Sequence, residues 1–258
     1  MVLAIKTATD PLGLIFWEER MSKIAILIDG GFFLKRLKTV FPNVAATDPE
    51  AVCKAIWELV TSHLTQQNKI EKKAHPRSLL YRVFYYDARP YLEKAHYPVS
   101  QKGFDYSRTP EAKFRLELFD NLRRSPNTAV RLGEVRKERS WIINDNAQKA
   151  LLKGTKSVAD LTDADFSPGL RQKTVDIRIG VDIASLALKR QVDTIILVTG
   201  DEDFVPAAKL ARREGVKVIL DPLWRSVSES LFEHIDGVKS GARRPKKIQT
   251  GNSSTDEE

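Results

Sequence analysis

The sequence predicts an α/β fold with a central parallel sheet flanked by helices, and three observations lead there. Ile195-Ile-Leu-Val198 is apolar without polar alternation, the pattern of a strand covered on both faces, as parallel strands are. Stretches with helical spacing separate this run from the other strand-like runs, the alternation that builds parallel sheets. Two strand-like runs stop at acidic, glycine-containing turns, Asp29-Gly-Gly31 and Thr199-Gly-Asp-Glu-Asp203. Open parallel sheets place their crevices at that edge.

In chain order, residues 1–22 read as an N-terminal extension. Leu12-Gly-Leu-Ile-Phe-Trp17 is too short for a signal core, and Met21 reads as a natural start. Lys23 to Ile28 is the first buried strand. The glycines after Asp29 permit a tight turn and close backbone approach, and Phe32 to Thr39 follows as a helix. Asp48 caps a longer helix, Pro49 to Gln66, with Pro49 in its first turn and apolar residues at Val52, Ile56, Leu59, Val60 and Leu64. Leu79 to Tyr86 is a strand ending at Asp87.

The pattern loosens over about 88–172, which reads as an insertion. Glu111 to Arg124 is helical. Thr128 to Val135 and Ser140 to Asn144 alternate as a hairpin, with Lys137-Glu-Arg139 near its turn. Asn144 to Gly169 reads as a mobile loop with some helix. Thr174 to Arg190 restores a helix, with Val175, Ile179, Ile183, Leu186 and Ala187 on one apolar face. After the strand at Ile195 come a helix from Pro206 to Glu214, a strand from Val216 to Leu220 and a short helix from Ser228 to Asp236. Residues 237–258 read as a disordered tail carrying Arg243, Arg244, Lys246 and Lys247.

Composition bounds the function. The chain has 258 residues, 42% of them hydrophobic, enough for a real core. Its formal charge of +8 suggests a polyanionic partner. Nine basic and five acidic residues lie between Arg108 and Arg139, either a solvated surface or a rim for phosphates. The single cysteine, Cys53, excludes an internal disulfide and a Cys-rich zinc site, and reads as a buried helix residue. No apolar run approaches the roughly 20 residues that span a bilayer, and a cytoplasmic, non-membrane protein is expected. A homodimer is compatible with the sequence.

The chemistry lies in the aspartates. Asp29 and the Asp201/Asp203 pair follow strands, and Asp176 opens the helix leading to the second of them. If those strands are neighbours where the strand order reverses, the four carboxylates meet in one crevice. Clustered carboxylates raise one another's pKa values unless a cation is present. All-oxygen donors suit Mg²⁺ or Mn²⁺, which lowers the pKa of bound water and neutralises phosphoryl charge. Asp182 follows Asp176 by roughly 600° of helical rotation, a weaker helper. Lys173, Arg131 and Arg136 are candidates to hold phosphates. Thr199 either orients a metal water or satisfies backbone at the strand end.

Ile26-Leu-Ile-Asp-Gly-Gly-Phe-Phe33, Lys173-Thr-Val-Asp-Ile-Arg-Ile-Gly-Val-Asp182 and Thr199-Gly-Asp-Glu-Asp-Phe204 occur in order. Together they resemble the NYN domain, in the LabA-like branch of the PIN-like nuclease superfamily, over about residues 23–236. The resemblance implies a Rossmann-like PIN fold and Mg²⁺- or Mn²⁺-dependent ribonuclease activity, and single-stranded RNA is the expected partner. Its metal-site acids fall on Asp29, Asp176, Asp201 and Asp203, with Asp182 as helper. The sequence departs from it at Phe32, where many members carry asparagine.

The favoured function is a metal-dependent endoribonuclease. The alternative is a catalytically weak RNA-binding regulatory protein using the same crevice. A phosphohydrolase with an aspartyl nucleophile would show D-x-D after the first strand, which Asp29-Gly-Gly31 is not. A nucleotide-binding protein would show a phosphate-cradling G-x-x-x-x-G-K-[ST] loop, which the chain lacks.

Overall fold

The computed structural model describes residues 22–72 and 75–245, the side chains of 138–140 excepted. Residues 1–21 of the N-terminal extension, with the start at Met21, and the basic residues Lys246 and Lys247 lie outside the described residues.

Strand β1 (Ile24–Asp29) runs directly into helix α1 (Gly30–Val40), because Asp29 caps the helix: its Oδ1 accepts from the Phe32 N–H at 3.0 Å. Asp48 caps α2 (Pro49–Glu71) in the same way. This helix carries Cys53, which is buried as expected. Strand β2 (Leu80–Ala88) follows, then a small antiparallel hairpin of β3 (Lys94–His96) and β4 (Gly103–Asp105), and helix α3 (Pro110–Arg124). Next come β5 (Thr128–Ile143), α4 (Asp145–Leu152), β6 (Phe166–Lys173) and α5 (Val175–Leu188). The chain closes with β7 (Thr194–Val198), α6 (Val205–Arg213), β8 (Lys217–Asp221), α7 (Glu229–Phe232) and β9 (Gly237–Val238).

The main sheet has the order β6-β5-β2-β1-β7-β8-β9, parallel throughout except for the β5/β6 pair. From β1 the chain builds outward on one side through β2 and β5, then crosses to build the other side from β7. The order therefore reverses at the β1/β7 seam, where Ile28 pairs with Val198. Both faces of the sheet are covered, which is why its central strands read as unbroken apolar runs. Ile24, Ile26 and Ile28 pack into one core with Phe33, Leu59 and Phe119. Ala25 and Leu27 pack into the other with Ile179, Ile183 and Ala208.

Two local expectations in the insertion are corrected. The segments Thr128–Val135 and Ser140–Asn144 are not two arms of a hairpin: up to Ile143 they are parts of one strand, β5. The charged run at Lys137, turn-like in composition, falls where the ladder with β6 shifts register between Lys137 and Trp141. A bulge absorbs such a run without reversing the chain. Correspondingly, the end of the expected mobile loop is β6, an edge strand that tolerates Pro168 and Gly169, and α4 occupies its beginning. The hairpin in this insertion is β3/β4 instead.

The stretch after Asp236, expected to lack structure, is held as far as it is described. Strand β9 pairs with β8, the Gly241 N–H donates to Asp221 Oδ2 at 2.9 Å, and Trp224 Nε1 donates to the Ala242 carbonyl at 2.9 Å. Asp221 is itself fixed by His63, with Nε2 and Oδ2 2.7 Å apart and both side chains fully buried.

Gly30 makes the strand-to-helix junction possible. A Cβ there would stand 2.5 Å from the ring end of Tyr85 and 2.7 Å from the Tyr86 carbonyl. Tyr85 is fully buried and has no room to yield. Gly30→Ala is expected to destabilise the fold by about 1–3 kcal/mol, read as a lower urea midpoint at unchanged slope. An unchanged midpoint would show the junction to be looser than drawn.

Candidate functional site

Three chain-distant segments meet at the carboxyl edge of the sheet, beside the β1/β7 seam. Asp29 ends β1. Asp201 follows β7 and caps a single 3-10 turn, Glu202–Phe204, by accepting from the Asp203 N–H at 3.1 Å. Phe204, almost fully buried, pins that turn to the core. Asp176 lies in the first turn of α5.

Thr199 links the two strand ends. Its hydroxyl accepts from the Asp201 N–H at 3.3 Å and donates weakly to Asp29 Oδ2 at 3.5 Å. It is fully buried. Its bond to the Asp201 N–H is of the kind that satisfies backbone at the strand end, one of the two roles weighed for it.

The electrostatics couple these acids to one another. Burial pushes the Asp29 carboxyl above its ordinary value. The Phe32 N–H pulls it back, and Asp176, Asp87 and Asp201 push it up again. Asp176 is raised by burial, then by Asp201 and Asp203. Thus Asp176 and Asp201 act on Asp29, and Asp201 and Asp203 on Asp176, with no basic group among the causes for either raised acid.

Helix α5 reaches this field through an unusual joint. Thr174, its N-cap residue, adopts a left-handed backbone with φ of 71°, a strained state for a β-branched residue. Opposite it, a Cβ on Gly133 would stand 2.6 Å from the Lys173 carbonyl and 2.8 Å from Val175. The close approach of β5 to this joint fixes where Asp176 begins its helix.

Other expected residues lie elsewhere. Asp182 accepts from the Tyr86 hydroxyl at 2.9 Å and from Arg131 Nε at 3.3 Å. It is not among the groups that raise Asp29 or Asp176. Arg131 is correspondingly engaged by Asp182 and lies over the Phe84 ring. Lys173 is exposed at the end of β6, and Arg136 is exposed on β5 beside Glu134. Phe32, where the resemblance expects asparagine, lies against the second strand end: a Cβ on Gly200 would be 2.8 Å from its ring.

Sequence reading missed a second acid beneath the site. Asp87, at the end of β2, is buried and paired with Arg115 of α3 at 2.5 Å. Burial raises its carboxyl more than Arg115 lowers it. Its only signal was its place, an aspartate ending a strand like Asp29. Its partner is 28 residues away and invisible to local patterns.

The donor set suits a hard divalent cation: carboxylates at one edge, without thiol or imidazole. As placed, no group of three or more His, Cys, Asp or Glu among the described residues stands within metal-holding range. The fit is thus one of chemistry and charge.

A model of the NYN domain matches residues 23–236. An uncharacterized protein of Methanocaldococcus jannaschii is 32% identical over 73 residues, covering 27% of this chain and 30% of that protein. The chain thus matches under a third of that relative's length. A crystal structure of a Vibrio parahaemolyticus protein of unknown function aligns over 86% of this chain and 94% of its own, with TM-score 0.42 and 16% identity.

A carboxyl raised in the folded protein opposes folding once the pH exceeds its unfolded value, near 3.8 for Asp29, and does so fully above the raised value. Asn caps helices as well as Asp. Asp29→Asn is therefore expected to melt higher than wild type at pH 7, with the difference vanishing below the unfolded value. A lower melting temperature at pH 7 would show that Asp29 is not under this tension.

Proposed function

We propose that this chain, which belongs to the NYN domain family of the PIN-like superfamily, is a metal-dependent endoribonuclease. The three motifs support placing it in the LabA-like branch. The observation that carries the reading is the convergence of Asp29, Asp176, Asp201 and Asp203, from three separate segments, on the edge where strand order reverses.

Those four residues would hold Mg²⁺ or Mn²⁺. When bound, such an ion supplies a water of lowered pKa and neutralises charge on the phosphoryl oxygens. The chain's own residues do the rest. The hydroxyl of Thr199 couples the loops bearing Asp29 and Asp201. The cap at Phe32 N fixes one oxygen of Asp29 and leaves the other toward Thr199. Lys173 and Arg136, on the ribbon of β5 and β6 beside α5, supply positive charge for the RNA backbone.

The second reading, an RNA-binding regulatory protein of weak catalysis, draws on Phe32. It places an apolar ring where the resemblance expects an amide that could position substrate or metal.

Asp201→Asn preserves the turn cap and removes one charge. In cleavage of labelled single-stranded RNA with Mn²⁺, the variant is expected to lose at least about 100-fold in rate, the upper end of what losing a partner of a metal ligand costs. Equal cleavage by wild type and variant would refute the site. Salt-sensitive RNA binding without cleavage by wild type would favour the second reading.

A further inference from the structure

Five aromatic rings form a connected run that belongs to neither core layer. Tyr91 meets Tyr106 edge-on, with centroids 5.1 Å apart, and Tyr106 meets Phe104 at 4.7 Å. Phe104 meets Tyr97 at 5.0 Å, and Tyr97 stacks on Trp141 at 5.7 Å with ring planes 23° apart. Tyr106 is buried, and the other four keep part of their surface in water.

The run joins the β3/β4 hairpin to the outer half of β5. Trp141 Nε1 donates to the His96 carbonyl at 2.9 Å. Asp163 accepts from the Val99 and Ser100 N–H groups and from the Ser100 hydroxyl. Hairpin, ribbon and the loop before β6 are thereby one preformed unit.

A satellite cluster under a long loop is the ordinary explanation for such rings. Placement and charge point further. Strand β5 leaves its pairing with β2 at Gly133, beside the start of α5, and continues past the carboxyl edge of the sheet. Trp141 lies eight residues beyond, about 25 Å at the rise of a strand. The ribbon thus leads outward from the aspartate crevice to the rings. Lys94 and Lys102 are exposed on the hairpin, and Arg108 just after it is exposed beside Asp105. Along the ribbon Arg136, held by Glu134, stands directly opposite Arg171.

We infer that this aromatic run and its flanking cations are a stacking platform for single-stranded RNA, on the path to the aspartate crevice. The inference rests on the ribonuclease reading for its choice of RNA. Every base has a face that stacks on an aromatic ring, while cations follow the phosphates. A duplex encloses its bases and offers no such faces.

The test is binding of a fluorescent oligouridylate in EDTA, so that nothing is cleaved, to wild type, Trp141→Ala, Trp141→Phe and Tyr97→Ala. Stacking is worth roughly 1–3 kcal/mol per base. Each alanine variant should therefore bind about 5- to 150-fold more weakly, and Trp141→Phe should retain most of the affinity. Ultraviolet crosslinking of wild type to a 5-bromouridine oligomer needs no variant and should label Trp141 or the segment 91–106. Wild-type affinity in both alanine variants, with crosslinks elsewhere, would overturn the platform and leave the ribonuclease reading standing. Wild type that neither binds nor cleaves RNA would overturn both.

Discussion

The seam between β1 and β7 is the constraint on which the rest of the molecule depends. Pairing Ile28 with Val198 brings Asp29 beside Thr199 and the Asp201 turn. The fold then tolerates a local excess of negative charge by placing each acid at a favourable backbone terminus. Asp29 caps α1, Asp176 opens α5 and Asp201 caps a 3-10 turn. Backbone N–H groups at these termini offset part of the repulsion. What remains appears as the raised carboxyls of Asp29 and Asp176. Such tension is what a site gains from admitting a cation.

The centre of the fold was legible because its cause is local. Strands buried on both faces write unbroken apolar runs, and caps such as Asp48 write a residue type at a fixed place. The motif acids were legible for the same reason, since a strand-end aspartate needs no knowledge of its neighbours. The periphery was not. Strand β6 carries Ser167-Pro-Gly169, a loop composition, and is ordered by its ladder with β5. Strand β9 depends on β8 and on the contacts of Asp221. Asp87 and Arg115, Asp182 and Arg131, and His63 and Asp221 are pairings between distant segments. Nothing in the local sequence announces them.

Phe32 and the β5/β6 ribbon show two ways this chain differs from a bare crevice. Phe32 closes apolar surface onto Gly200 between the two acidic loops, shielding the seam from water on that side. The ribbon does the reverse, extending a charged and aromatic surface outward from the strained joint at Thr174. The acids are fixed by the sheet, and the surface that would select a polymer is built on the insertion. Fold and selectivity can then vary separately.

The most direct test of the account is Mn²⁺ binding in the absence of nucleic acid, followed by the electron paramagnetic resonance signal of the free ion. The account predicts saturable binding, displaced by Mg²⁺ and abolished when Asp29 and Asp176 are both replaced by asparagine. Binding that survives the double replacement, or no binding by the folded wild-type protein, would contradict the claim that these aspartates form a cation site.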